Sequence, residues 1–456
     1  MPLIKPSLPK GTRDFLPEEM IRRQSVIATV RTVFERYGYQ PLETPAIEKL
    51  EVLSGKYGEE GEQLIFKVLK RGTGLEELLQ GRKEFAVEHY DDLVDEALRY
   101  DLTVPLSRVV AMHENEIVQP FKRYQIQPVW RADRPQRGRY REFYQCDVDS
   151  VGVTSMLADA EIIAMVYQVL SSLGFNKFKI RLNNRKILNG IIKHGGIPPA
   201  SGNAVFVAID KLDKIGPNGV KQELLDRGLS DSQIQKIFSV FALSDNSLDV
   251  LAELAGLLDG NEELQSGAEE LTQIMKYLDS LGVNRDAVRI DLYLARGLGY
   301  YTGPIHEAVV EEPKMGSLSG GGRYDRLIGM FLGRDIPATG VAFGIERIID
   351  VMNELNMFSD SNAKTKALVT LFDESTVDSS LILTQELRMA GVNAEHFLEL
   401  SKLKKQFVYA DKKRIPYVVI IGPDELAEGR VTIKTMSTGE QRQLPRSQAL
   451  SFLASA

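Results

Sequence analysis

Five arginines stand in eleven consecutive positions, Arg131, Arg134, Arg137, Arg139 and Arg141, inside the stretch WRADRPQRGRYREFYQCDVD. The chain that carries them is acidic, with 56 Lys and Arg against 63 Asp and Glu and a formal net charge of −7. Net acidity gives no bulk attraction for a polyanion, so any polyanion must be gripped by a local patch. A guanidinium offers planar, fork-shaped donors that match phosphate and carboxylate oxygens, and acidic neighbours at Asp133 and Glu142 can pre-align it. The plain alternative for each arginine taken singly is a solvated loop.

Three further stretches carry chemistry-bearing residues. In LARGLGYYTG, Arg296 lies among small and apolar residues and is followed by Tyr300 and Tyr301, which reads as a cation beside an aromatic wall. Adjacent strand residues face opposite ways, so one tyrosine can line a site while the other braces a sheet. A hairpin turn with core tyrosines is the alternative. In SLSGGGRYDRLI, three glycines precede Arg323 and Tyr324. They let backbone pass close to a ligand, or simply make a turn. No Gly-Lys-Ser/Thr follows, so this is no phosphate loop, and a lone glycine cluster is no dinucleotide fingerprint. In GVAFGIERI, Gly340 and Gly344 lead to Glu346 and Arg347 at the start of a helix. A cation in the first turn opposes the helix dipole, which points to a ligand or an acidic partner. Towards the C-terminus, Lys404, Lys405, Lys412, Lys413 and Arg414 cluster, either as a solvated helix face or as a salt-sensitive RNA contact. Cys146 is the only cysteine, so neither a disulfide within the chain nor a Cys-rich zinc site can form, and the five histidines show no ligand-spaced pair.

The elements that must position these residues are legible from periodicity. FKRYQIQPVWR and RYREFYQCDVDSVG are rich in aromatic and β-branched residues and read as strands joined by the polar loop ADRPQRG, a long antiparallel hairpin. Alternation carried through the loop's end puts Arg139, Arg141 and Phe143 on one face, with Tyr140, Glu142 and Tyr144 on the other. PEEMIRRQSVIATVRTVFERYGYQ predicts an amphipathic helix, with Ile21, Val26, Val30, Val33 and Phe34 as its apolar stripe, Pro17 at its start and Gly38 past its end. YQPLETP suits an edge strand or an interface. LRYDLTVPLSRVVAMHEN predicts a strand ending at Thr103, then a helix opened by Pro105. A strand, Gly-rich loop and return segment fit LIFKVLKRGTGLEELLQGRKEFAVEHYDD. SMLADAEIIAMVYQVLSSLGF predicts a second helix, and ATGVAFGIERIIDVMNEL a strand running into one.

At 456 residues the chain is long enough for two to four domains, and 43% hydrophobic with 26% charged residues is the composition of a soluble globular protein. No apolar run is long enough for a membrane span, and the prolines and charges of MPLIKPSLPKGTRDFLP do not fit a signal peptide, so a reducing cytoplasm is expected. Residues 200 to about 285 read as a helical insertion. After the polar linker NMFSDSNAKTK, alternating β and α signals predict a small α/β domain.

Taken together, these stretches resemble the class II aminoacyl-tRNA synthetases. YGYQPLETPAIE, with Pro45, is similar to the first motif of that class, found at its dimer interface; VWRAD with RYREF is similar to the second, and GVAFGIERI to the third. KGTRDFLP, RYDLTVP, YREFYQCDVD, ARGLGYYTG and GGGRYDRLIG resemble signatures of its histidyl-tRNA synthetase family, the RYDLTVP form being that of the eukaryote-like branch. The resemblance runs over residues 10 to 350, and LKKQFVYADKKRIPYVVIIGPDEL resembles the family's anticodon-binding domain. Small departures stand at Gly299 and Asp133, where that family often has an acidic residue and a glutamate, and at His306, in a place often held by Tyr or Phe.

The resemblance implies an α+β fold: an antiparallel-sheet class II catalytic domain over residues 1–358 with a helical insertion at 200–285, a linker at 359–365 and an α/β anticodon-binding domain over 366–456. It implies activation of L-histidine by ATP with Mg2+ to histidyl-adenylate, then transfer to the 3′ end of tRNA(His), by a homodimeric ligase with no editing domain and a tRNA-clamping insertion. Arg131, Arg296 and Arg347 would be catalytic, with Arg296 serving where other members of the class use an additional magnesium ion. Asp101, Thr103, Arg131, Gln145, Asp149, Arg296, Tyr300 and Tyr301 would bind histidine. Arg131, Asp133, Arg141, Phe143 and Arg347 would bind ATP, and no metal would be held by protein groups alone. Arg134, Arg137, Arg139, Lys412 and Lys413 would contact tRNA, and residues 55–62 are lid-like. The alternative is a non-catalytic regulatory relative in histidine biosynthesis, which typically lacks the anticodon domain and disrupts the ATP-binding arginines.

Overall fold

The computed structural model describes residues 4–55, 61–72, 92–136, 138–209, 211–241, 243, 249–257, 260–295, 299–313, 315–358 and 364–455. Arg137, Arg296, most of the lid-like stretch 55–62 and the return segment across 73–91 lie outside the described residues. The chain divides into two compact units, Met1–Asp14 with Val26–Met357, and Phe15–Ser25 with Phe358–Ala456.

The larger unit is built on an eight-stranded sheet. Its strands are β1 (Gln40–Pro41), β5 (Phe121–Trp130), β6 (Glu142–Val151), β7 (Phe178–Asn184), β8 (Val288–Ile290), β9 (Pro304–Val310), β10 (Ser319–Arg323) and β11 (Ala338–Gly344). They lie in the order β1-β5-β6-β11-β10-β9-β7-β8. The six central strands pair antiparallel, and the edge strands β1 and β8 join parallel. β1, with Pro41, is at the edge that its prolines suit. A separate three-stranded sheet orders β2 (Ile47–Lys49), β4 (Val94–Leu98) and β3 (Lys67–Leu69).

The β5–β6 hairpin pairs without a break from Phe121↔Val151 to Trp130↔Glu142. The strand pleat stops at Glu142, so alternation does not reach Arg139 and Arg141 as the sequence suggested. Gly138 takes φ +72 inside the loop, where a Gln136↔Arg139 bridge closes a tight turn. That turn resets which way each following side chain points.

Helix α1 (Pro17–Arg36) ends near the expected Gly38, and its Phe34 ring lies 5.7 Å from both Tyr124 and Phe343 on one face of the sheet. Helix α2 (Thr103–Met112) begins two residues before the Pro105 start read from sequence, and β4 ends at Leu98 rather than Thr103. The Asp101 carboxylate accepts from Val104 N at 3.1 Å, which fixes the earlier start, and Pro105 occupies the first turn, where a backbone donor is not needed. Helix α3 (Met156–Ser172) is capped by Ser155 and covers the same sheet face as Phe34; its buried Asp159 pairs with Arg323 of β10. Helix α4 (Arg185–His194) leads to α5 (Pro199–Ile209), α6 (Leu212–Asp226), α7 (Asp231–Phe241), α8 (Asp249–Leu257) and α9 (Glu262–Ser280). The last of these is bound into the sheet domain. Asn184, the N-cap of α4, also donates to Gly267 O and Glu270, and Lys186 pairs with Glu270 at 2.6 Å. Helix α10 (Ile345–Glu354) continues directly from β11.

The smaller unit has a five-stranded sheet, β13 (Ala394–His396), β12 (Ala367–Val369), β14 (Tyr417–Ile420), β15 (Arg430–Thr435) and β16 (Gln441–Pro445), in that order. The first three are parallel and the last two antiparallel additions. Its helices include α11 (Val377–Met389), α12 (Leu403–Lys412) and α13 (Arg446–Ser455).

Candidate active site

The sheet face opposite α3 forms the site's floor. On β6, Gln145, Asp147 and Asp149 alternate onto it, and across the strands stand Arg123, Gly340 and Ala342. Small residues on β10 and β11 keep this floor open. Gly340 is essential to it, because a Cβ there would lie 2.0 Å from Asp149 Oδ1. Arg123, fully buried, pairs with Asp149 Oδ2 at 2.7 Å, and the Tyr324 hydroxyl donates to Asp149 Oδ1. Two partners thus hold Asp149 in one orientation.

A cavity of about 170 Å³ opens over this floor, walled by Asp101, Thr103, Asp147, Asp149, Tyr300 and Tyr301. The two tyrosine rings pack with centroids 4.9 Å apart, and both line the cavity. They sit in an irregular turn rather than a strand, which is why they do not split between two faces. Burial pushes the Asp147 carboxyl well above the ordinary range; Arg123 opposes this, and the nearby Asp149 and Asp101 add to it. Burial also raises Asp149, against Arg123 and the Tyr324 hydroxyl. Hydroxyl, amide and carboxyl groups facing inward at this density make a pocket for a small polar cation-bearing molecule.

A second cavity, of about 260 Å³, adjoins it. Arg131, Asp133, Phe143, Tyr144, Glu346 and Arg347 are among its walls. Arg131 and Gln145 line both cavities and mark their junction. Arg131 is held from behind: its Nε donates to Tyr100 O at 3.1 Å, and its guanidinium carbon lies 4.3 Å from the Tyr100 ring centroid and 5.1 Å from that of Phe143. Arg347 donates to Ser317 O at 3.0 Å. A junction arginine, a second arginine and an aromatic ring fit a nucleotide whose phosphates face the smaller cavity.

Of the residues singled out from sequence, Asp101, Thr103, Arg131, Gln145, Asp149, Tyr300 and Tyr301 meet at the smaller cavity, and Arg131, Asp133, Phe143 and Arg347 at the larger. Arg141 is not among the lining residues; its Nε donates to Asp133 O at 3.1 Å. Arg139 lines the larger cavity and lies 3.5 Å from Asp133, while Arg134 is exposed. Arg296 and Arg137, outside the described residues, have no placement. In the smaller unit Lys412 is exposed, and Lys413 is engaged by Glu395 at 2.7 Å.

Sequence reading gave no site role to Asp147, Arg123 or Arg99, and named Tyr324 only as a neighbour of the glycine cluster. Asp147 shares the i, i+2, i+4 pattern of Gln145 and Asp149, so alternation alone could have found it. Arg99 opens the RYDLTVP stretch, but no sequence neighbour reveals what it bonds to. It is buried and donates to Thr44 O at 2.6 Å, Pro45 O at 3.1 Å, Pro128 O at 2.9 Å and Gln127 Oε1 at 3.0 Å, which locks the strand end that carries Arg131.

A family model described as histidyl-tRNA synthetase matches residues 11–79 and 89–348, and an anticodon-binding domain model matches 365–456. A histidine–tRNA ligase of Cytophaga hutchinsonii is 46% identical over 442 residues, covering 96% of this chain and 97% of the relative. One from Gloeobacter violaceus is 45% identical over 466 residues, covering 97% of each. The crystal structure of histidyl-tRNA synthetase from Nostoc sp. PCC 7120 superposes with a TM-score of 0.85 at 33% identity over 99% of both chains. A Bacillus halodurans structure titled ATP phosphoribosyltransferase regulatory subunit/histidyl-tRNA synthetase shares the fold, at TM-score 0.71 and 22% identity, over 89% of this chain and 97% of that one.

Proposed function

The chain belongs to the histidyl-tRNA synthetase family, and from that premise we propose how its two cavities divide the reaction. The activity is histidine–tRNA ligation: histidine is activated with ATP and passed to the 3′ end of tRNA(His). The regulatory alternative has no comparable support, because the relatives at 45–46% identity are named as ligases and the likeness to the dual-titled Bacillus structure is one of fold.

Histidine occupies the smaller cavity and ATP the larger, with the α-phosphate at Arg131. The histidine carboxylate forms the new bond to that phosphorus as the bond to pyrophosphate breaks. The terminal adenosine hydroxyl of tRNA then attacks the acyl carbon, and AMP leaves. Charge on the phosphate grows and shifts in the first step, so a guanidinium already aimed at it stabilises the transition state without reorganisation. Arg131 is such a group, Arg347 holds the rest of ATP, and Arg296 is assigned the facing position on family resemblance. Phe143 offers a stacking surface to the adenine. Asp133 and Arg141 belong to the same ATP-binding set, with Arg141 supporting the loop. Asp101, Thr103, Gln145 and Asp149 bind the α-amino group and imidazole, and Tyr300 and Tyr301 wall the pocket. A site that hydrogen-bonds the imidazole rejects apolar isosteres by roughly 10⁴–10⁵, because they leave buried polar groups unpaired.

Magnesium would accompany ATP in this reading and would supply charge neutralisation to its phosphates. Among the described residues no three His, Cys, Asp or Glu side chains gather as a metal site, and no step here runs through the ion. Arg134, Arg137, Arg139, Lys412 and Lys413 are assigned to tRNA, as is the helical segment 200–285 of the 1–358 catalytic domain, which the linker 359–365 joins to the 366–456 anticodon domain. Protection of that segment from proteolysis by tRNA is the check. A homodimer through the Pro45 segment is part of the proposal, and a single-chain mass in sedimentation at micromolar concentration contradicts it. No helix among the described residues is long and apolar enough to cross a membrane; the cytoplasm is the proposed compartment, read by cell fractionation.

The observation that carries the cavity assignment is Arg131 at the wall of both cavities. Histidine-dependent ATP–pyrophosphate exchange tests it. Arg131→Ala and Arg296→Ala are each expected to slow exchange by roughly 10²–10³-fold. Unchanged exchange in Arg131→Ala removes it from the chemistry.

A further inference from the structure

Residues 9–14 run along the loop that carries the clustered arginines. Thr12 closes a turn back on Pro9, with N–O and Oγ1–O distances of 3.2 and 2.8 Å. Gly11 stands at φ +88, and its carbonyl accepts from Arg141 N at 2.9 Å. A Cβ at Gly11 would lie 2.8 Å from side-chain atoms of both Pro135 and Arg141, so the segment touches both arms of the loop. Two residues on, Arg13 donates to Glu346 Oε2 at 2.6 Å, while its guanidinium carbon sits 3.4 Å from the Tyr140 ring centroid. The other oxygen of Glu346 accepts from Tyr144 N at 3.3 Å.

Glu346 and Tyr140 line the larger cavity; Arg13 is not among its lining residues. Glu346 is only 6% exposed, beside Arg347. A nearly buried carboxylate on the wall of a polyphosphate site repels the ligand unless a cation balances it. Arg13 supplies that cation from outside the cavity. The same guanidinium, packed on Tyr140, fixes the loop relative to the start of α10. The Arg13–Glu346 pair thus joins the loop bearing the arginine cluster, through Tyr140, to the β6 backbone at Tyr144 and the helix start bearing Arg347.

We propose that Arg13 is a positioning residue for ATP: it neutralises Glu346 and clamps Tyr140, so that the arginine loop and the Glu346–Arg347 turn keep one geometry around the nucleotide. The proposal rests on the reading of the larger cavity as the ATP site. It also implies that the amino-acid cavity is indifferent to Arg13, since neither Tyr140 nor Glu346 reaches it.

The test is steady-state ATP–pyrophosphate exchange on the full chain, with ATP and histidine varied separately. Arg13→Met is expected to raise KM for ATP about tenfold, the loss of one charge-assisted contact, with kcat and KM for histidine within about twofold of the parent. Arg13→Lys restores the charge without the planar fork and recovers part of the loss. In a Glu346→Gln background, Arg13→Met changes KM for ATP by less than about twofold, because the charge to be balanced is gone. Three results overturn the proposal. One is an unchanged KM for ATP in Arg13→Met. Another is a parallel fall in kcat and both affinities that tracks the melting temperature. The third is a full-sized Arg13→Met effect in the Glu346→Gln background. A parent chain with no histidine-dependent exchange overturns the reading of the cavity instead.

Discussion

At the scale of single residues, the site depends on which atoms are missing as much as on which are present. Gly340 faces Asp149 across the β6–β11 pair, and any side chain there would occupy the carboxylate's place. Gly340→Ala is therefore expected to displace Asp149 and raise KM for histidine by about tenfold or more, with a smaller change in KM for ATP; equal changes in both would contradict this. Burial alone moves another group. His306, on the opposite face of the sheet, is 4% exposed, and neither ring nitrogen has a hydrogen-bond partner among the described residues. Its pKa is pushed down from 6.5 to about 4 by desolvation. A depressed folded-state value means stability is intact above pH 6.5 and is lost as pH falls towards about 4. His306→Phe removes that term, so its melting temperature is expected to gain on the parent progressively across this window. A constant offset between the two curves would show that His306 does not titrate there. Arg131 and Arg347 were legible in the sequence because arginines amid apolar strand and helix-start residues are out of place as surface charge. Asp147 was legible in principle from the pleat. Arg13 and Arg99 were not, since their partners lie far away in the chain.

Among elements, the hairpin was the clearest feature to read, because both of its strands are rich in aromatic and β-branched residues and are joined by a short polar loop. What the sequence left open was where regular structure yields to a turn. The pleat ends at Glu142 because Gly138 turns the chain, and α2 starts at Thr103 because Asp101 reaches a backbone amide. Both boundaries depend on single hydrogen-bonding or φ choices, which composition does not reveal. The seating of α9 is equally a matter of single groups. Asn184 caps α4, accepting from Lys186 N at 2.9 Å, and donates to Gly267 O and Glu270 of α9 while fully buried. Asn184→Ala is expected to cost about 2 kcal/mol, a lost cap together with an unpaired buried carbonyl, read as a lower midpoint in urea. Exchange well below the transition should keep the parent's kcat; a large loss of kcat without loss of stability would give Asn184 a role in the chemistry.

For the molecule as a whole, a net charge of −7 coexists with substrates that are all anionic or polyanionic except histidine. Local patches must then supply the attraction, and screening by salt should reveal them. In the smaller unit, Lys413 is already engaged by Glu395, whereas Lys412 is exposed with no ion pair among the described residues. Lys412→Glu is expected to weaken tRNA binding and to lower the slope of log affinity against log salt by roughly one, leaving histidine-dependent exchange untouched. An unaltered slope would take Lys412 off the RNA surface.

The central claim is that Arg131 stands between an imidazole pocket and a nucleotide pocket. A crystal structure with a non-hydrolysable histidyl-adenylate analogue tests it most directly. The account predicts the analogue's phosphate-like group about 3 Å from the Arg131 guanidinium, its imidazole beside Asp149 and its adenine against Phe143. An analogue bound with these ends exchanged, or with its phosphate group away from Arg131, would contradict it.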